Sequence, residues 1–82
     1  MPTVVITGVS RGLGRAMSMG FAEAGCTVIG CSRSAAELAE LQTAVGKPHR
    51  FDVVDVAVDT DVADWSQEIL SLYPAPDILV NN

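Results

Sequence analysis

Short runs of β-branched and aliphatic residues alternate along the chain with stretches in which apolar positions recur every three or four residues. That alternation predicts parallel strand-helix-strand units. Residues 2–7 (Pro-Thr-Val-Val-Ile-Thr) predict a first strand, apolar enough to be buried on both faces and halted by Gly8. After a glycine-rich turn, Leu13, Met17, Phe21 and Ala24 recur at helical spacing, and Gly25 closes that helix. Residues 26–32 predict the second strand. Ser34, with Glu37 three positions on, reads as a capping box ahead of the stripe Leu38, Leu41 and Val45, which ends at Gly46. A third strand is expected over 48–54. The third helix carries its stripe at Val62, Trp65, Ile69 and Leu72, and Asp55, Asp59, Thr60 and Asp61 crowd its start, where carboxylates favour the positive end of the helix dipole. Pro74 and Pro76 stop it, and residues 77–80 predict a fourth strand.

The chain of 82 residues has room for one small domain and no second one. With 49% hydrophobic and 18% charged residues it is not a disordered sequence, and with 5% aromatics its core must be aliphatic. Charge is divided unevenly. All five basic residues (Arg11, Arg15, Arg33, Lys47, Arg50) lie in the first fifty positions beside Glu23, Glu37 and Glu40, whereas the rest of the chain holds seven acids and no Lys or Arg. The net charge of −5 excludes nucleic acid as a partner, while a small anion on the first half stays open. No apolar run approaches a membrane span or a signal-peptide core, so no membrane association and a cytoplasmic location are expected. Cys26 and Cys31, five positions apart in the predicted second strand, point to opposite faces and do not pair, which suits a reducing compartment.

The chemistry concentrates in the turn Thr7-Gly8-Val9-Ser10-Arg11-Gly12-Leu13-Gly14, set between a strand and a helix. Gly8 permits the sharp turn off the strand, Gly12 lets backbone approach a diphosphate, and Gly14 lets the helix pack closely on the sheet. The unpaired N–H groups at the helix start, with Ser10, Arg11 and Leu13 beside them, make an anion site. No Gly-Lys-Ser/Thr follows, which excludes a P-loop. The second strand ends at Cys31-Ser32-Arg33, where an NAD site carries an acid; a hydroxyl followed by a guanidinium suits a 2′-phosphate, with Arg11 as a second donor. The expected cofactor is therefore NADP(H) in preference to NAD(H), on a Rossmann-like, doubly wound α/β sheet of strand order 3-2-1-4.

Three motifs in order resemble the short-chain dehydrogenases/reductases, in their ordinary subgroup: Thr7-Gly8-x-x-x-Gly12-x-Gly14, Phe51-Asp52-Val53, and Ile78-Leu79-Val80-Asn81-Asn82, similar to the start of that family's Asn-Asn-Ala-Gly segment. The resemblance spans the whole chain. It implies that Asp52 meets the adenine amino group with Val53 beside the ring, that Asn81 lines the adenosine ribose, and that Arg11 and Arg33 mark an NADP-preferring member. It further implies oxidation and reduction of an alcohol/carbonyl pair. The family's active-site Ser and Tyr-x-x-x-Lys are not among these residues: Tyr73 is followed four positions later by Asp77. No catalytic residue is assigned, and no hydride transfer is expected from these 82 residues alone.

The remaining polar residues read as structural. His49 has no ligand cluster around it, Trp65 is core, and the acids from Asp52 to Asp64 lack EF-hand spacing, so no metal site is assigned. Residues 1–82 are expected to be the N-terminal, nucleotide-binding part of a dinucleotide-binding domain, cut off after the fourth strand. The alternative is a stand-alone nucleotide-binding or regulatory module, or an inactive truncated product. An apolar fourth strand at the sheet edge predicts self-association there.

Overall fold

A computed structural model describes residues 2–9, 12–73 and 75–82. Strands and helices alternate through the chain: β1 (Thr3–Thr7), α1 (Gly12–Glu23), β2 (Thr27–Ser32), α2 (Ala35–Val45), β3 (Arg50–Val53), α3 (Asp59–Leu72) and β4 (Ile78–Val80). The four strands form one parallel sheet in the expected order β3-β2-β1-β4. β1 is paired on both sides, with Val5 opposite Ile29 of β2 and Leu79 of β4. Val4, Val5 and Ile6 are buried, as a run of β-branched residues without polar alternation requires.

The two faces of the sheet carry separate cores. On the α1/α2 face Val4, Ile6, Val9, Val28, Leu38 and Leu41 pack together, with Met17, Phe21 and Phe51 against them. On the α3 face Val5, Ile29, Cys31 and Val54 pack with Trp65 and Ile69. The strand period of two sends neighbouring residues to opposite cores. Cys31 belongs to the α3 core and Cys26 packs against the other, and both thiols are free. Cys26 itself lies one residue ahead of β2, outside the strand predicted over 26–32.

Helix ends follow the predicted signals in part. α1 closes with Cys26 N–H bonded to the Phe21 carbonyl and Gly25 N–H to that of Ala22, the paired bonds of a Schellman motif. At α2 the Ser34 hydroxyl accepts the Glu37 N–H at 3.2 Å, but the reciprocal half of the capping box is not made, because the Ser34 N–H donates to Ser32 Oγ instead. α3 begins at Asp59 with no side-chain cap. Asp55 lies ahead of it, accepting the Ala57 N–H in a local turn.

Two predicted stripes and several strand ends shift. Leu13 is 68% exposed and Ala24 lies beyond the helix, whereas Met17 and Phe21 pack against the core and the small residues Gly14 and Ser18, both buried, permit close approach to the sheet. Leu72, at the last turn of α3, is also exposed. β3 is shorter than 48–54: Pro48 cannot donate to the ladder, and His49 takes part through its side chain, its Nδ1 accepting the Val28 N–H at 3.0 Å. β1 and β4 each begin one residue later than expected, with the Asp77 carboxylate accepting the Thr3 N–H and the Asp77 N–H donating to the Thr3 carbonyl. Pro74 lies outside the described residues. Among the described residues, no helix is long and apolar enough to cross a membrane.

Candidate functional site

All four strands run in the same direction, so the segments leaving their carboxyl ends meet along one edge of the sheet. A cleft of about 580 Å³ opens there, lined by Gly8 after β1, Ser32, Arg33, Ser34 and Glu37 between β2 and α2, Val54 and Val56 after β3, and Asn82 after β4. Ligands of open α/β sheets bind at this end, where the order of strands reverses.

The glycine turn is shaped by backbone. Gly8 sits at φ +69°, and its N–H and that of Val9 both donate to the Cys31 carbonyl, at 2.9 and 3.2 Å, which bends the chain off β1 against the end of β2. Gly14 faces the Gly8 carbonyl so closely that a Cβ there would fall on that oxygen and on Asn82 Nδ2. Asn82 completes the contact: Nδ2 donates to the Gly8 carbonyl at 2.9 Å, and its N–H to Thr7 Oγ1 at 3.1 Å. The first turn of α1 carries no acid, so the positive end of that helix is not neutralised by its own side chains. Gly12 opens the helix at φ +62° with Leu13 exposed beside it. Ser10 and Arg11 lie outside the described residues.

Ser32 is buried and Arg33 exposed at the mouth of this cleft. Glu37 lines it too, so a carboxylate shares the space that the strand-end sequence assigns to donors alone. Beneath it the Cys31 thiol is pushed up from its ordinary pKa chiefly by burial, which makes it a poor nucleophile. A second cleft, about 540 Å³, shares Val54 with the first and is lined by Asp52, Val53, Asp61, Asp64, Trp65 and Glu68. Asp52 is held by Arg50 and by the Trp65 indole N–H, and Val53 is 59% exposed. Asn81 is exposed, and it is its neighbour Asn82 that reaches the turn.

Among the assigned residues, Gly8, Ser32 and Arg33 share the first cleft, Asp52 and Val53 the second, and Gly14 lies under the turn. Sequence reading missed Asn82, Glu37 and the polar role of Trp65. Trp65 carried a legible signal, since a buried indole N–H requires an acceptor.

The turn residues fit a dinucleotide phosphate: two glycines at positive φ, a third that admits no Cβ, and an acid-free helix start.

Residues 2–82 match the family model described as short chain dehydrogenase. The NADPH-dependent pterin aldehyde reductase of Arabidopsis thaliana is 43% identical over 82 residues, which cover 98% of this chain and 34% of that protein. A short-chain dehydrogenase from Streptomyces avermitilis superposes with a TM-score of 0.91 at 32% identity, over 99% of this chain and 30% of that one. A short chain dehydrogenase from Escherichia coli CFT073, complexed with NADPH, superposes at 0.83 with 26% identity, over 99% of this chain and 36% of that one. The chain spans about a third of the length of the curated relatives it matches.

Proposed function

We propose that this chain, which belongs to the short-chain dehydrogenase family, is the N-terminal, cofactor-binding part of an NADP(H)-dependent oxidoreductase acting on an alcohol/carbonyl pair. The observation that carries the cofactor choice is the end of β2, where Ser32 and Arg33 line the same cleft as Gly8. The NADPH dependence of the plant relative and the NADPH bound to the bacterial neighbour support it.

In this reading the glycine turn and the free N–H groups of α1 face the diphosphate, while Gly14 keeps helix and turn in contact. Ser32 and Arg33 donate to the 2′-phosphate, with Arg11 as a further donor, and Asp52, Val53 and Asn81 serve the adenosine. When bound, the nicotinamide group supplies or accepts a hydride; the residues in hand bind and orient its carrier. Exposed hydrophobic side chains on β4 make that edge the place where the isolated chain would associate with a second copy.

Titration calorimetry at fixed salt tests the cofactor choice. A charge-assisted contact contributes about 1.5–3 kcal/mol, and solvent screening lowers it at an exposed arginine. Glu37 opposes a dianion in the same cleft, so a preference of about tenfold for NADPH over NADH, near 1.4 kcal/mol, is expected. Ser32→Asp combined with Arg33→Ala should invert the order by adding repulsion and an acceptor for the free ribose hydroxyl. Equal affinities in the unmutated chain, or no change in the double variant, would make Arg33 an ordinary surface charge.

A further inference from the structure

Arg50 and Asp52 are two positions apart in β3 and so project from the same face of the sheet, the one covered by α3. Their side chains form a small network with that helix. Arg50 Nε donates to Asp52 Oδ2 at 2.8 Å, the Trp65 indole N–H donates to the same oxygen at 2.9 Å, and Arg50 Nη2 is held from the other side by Glu68 at 2.9 Å. Among the described residues, Asp52 Oδ1 receives only a long contact from Arg50 Nη2, 3.4 Å, beyond the range of a good N–H···O bond. One oxygen thus takes two donors and the other keeps acceptor capacity, on a carboxylate held by Arg50 and Trp65.

The surroundings select what Oδ1 can accept. The cleft holding Asp52 is lined by Asp61, Asp64 and Glu68 as well, so it repels phosphate and favours a neutral group that presents N–H donors. The adjoining cleft, joined to it at Val54, has the opposite character, with Arg33 and the glycine turn. Phosphate belongs on one side of Val54 and a base edge on the other.

We propose that Arg50 and Trp65 are positioning residues that fix Asp52 so that Oδ1 accepts a hydrogen bond from the amino group of a bound adenine. The proposal rests on the dinucleotide reading above and adds to it two residues, on β3 and α3, that act through Asp52. If the network served only to fasten α3 to β3, breaking it would lower stability without altering which base is bound.

The test is the affinity of the 82-residue chain for NADPH against its hypoxanthine counterpart, in which the base amino group is replaced by oxygen. The unmutated chain should prefer adenine by about tenfold, the value of one hydrogen bond to a charged acceptor. Trp65→Phe keeps the ring in the core and removes the donor; Arg50→Met removes the other. Each should cut the preference below about threefold while leaving the NADPH to NADH ratio unchanged. Asp52→Asn, nearly isosteric, should abolish it. Folding of each variant is checked by its melting curve, and Asp52→Asn serves where either of the others fails to fold. Folded Trp65→Phe and Arg50→Met chains that retain the full preference would overturn the proposal. An unmutated chain that binds both nucleotides equally would overturn it while sparing the dinucleotide reading; one that binds neither would overturn both.

Discussion

β3 and β4 are the two outer strands of one sheet, and among the described residues each has a strand partner on one side only. β3 is polar and, up to the exposed Val53 at its end, half-covered. Phe51 packs into the α1/α2 core, Asp52 is tied to Trp65 of α3, and just ahead of the strand the His49 ring accepts an N–H from β2. β4 is apolar and bare: Ile78 is 40% exposed and Leu79 62%, and only Val80 reaches a core. Yet β4 is well anchored at both ends, by Asp77 to Thr3 and by Asn82 to Thr7 and Gly8. Anchorage and coverage are therefore separate properties of an edge strand. Backbone hydrogen bonds fix where a strand lies, whereas the elements packed on its faces decide whether it stays alone in water.

The anchorage of β4 depends on the glycine turn, and Gly14→Val should break both. Any Cβ at Gly14 would coincide with the Gly8 carbonyl and displace the Asn82 amide that fastens β4 to the turn. The Asn82 amide is the end of a side chain and can move aside, but the Gly8 carbonyl is backbone and cannot. A cost above about 4 kcal/mol is expected, more than a small domain can lose and still fold. Circular dichroism and a urea titration check this; a variant with an unchanged midpoint would show that the turn can yield.

That contact also marks how far the sequence could be read. Strand order was legible because β-branched runs and helical stripes alternate cleanly, and right-handed crossovers leave few arrangements for four parallel strands. The inward face of α1 was legible only in part: Met17 and Phe21 of the apolar stripe do pack against the core, but Leu13 is exposed and Gly14 and Ser18 are the buried residues, because closeness as well as apolar area decides the packing there. Gly8 and Gly14 were placed correctly in the turn from strand-helix context alone. Asn82 was passed over because its role is a contact with Gly8 across 74 positions, which no local pattern carries. Trp65 was read only as core, since its helical spacing gives the buried ring but not the direction of the indole N–H. The bare state of β4 follows from the third dimension as well: an apolar tripeptide looks the same whether a helix covers it or water does.

Coverage can be tested apart from anchorage. Leu79 borders a small apolar groove with Val5, Trp65, Ile69, Leu70 and Pro76, and Leu79→Lys places a charge on this exposed strand without touching its hydrogen bonds to β1. Edge lysines oppose strand pairing between copies. The concentration at which the chain associates, followed by analytical ultracentrifugation, should rise by at least about tenfold, near 1.4 kcal/mol. The melting temperature at low concentration should fall only slightly, because the replaced side chain is already 62% exposed. An unmutated chain that stays monomeric at high concentration would remove the contrast between the two edges.

The smallest effect is expected at the covered edge, where His49 links β3 to β2. Its Nδ1 can accept the Val28 N–H only while that nitrogen is unprotonated, and burial holds the ring below its ordinary pKa of 6.5. A histidine whose pKa is lowered on folding binds protons less readily in the folded state than in the unfolded one. Its contribution is therefore fully present above pH 6.5 and is lost as pH falls from there through the folded-state value, after which the loss levels off. His49→Asn offers a side-chain acceptor that does not titrate in this range. Urea midpoints should fall with pH across that window in the unmutated chain and fall less in the variant. Comparing the two chains from pH 7.5 to just below 6 isolates the histidine, because every other group is common to both. Parallel midpoints for the two chains over that interval would mean that the imidazole bond adds nothing to the hold of β3 on the sheet.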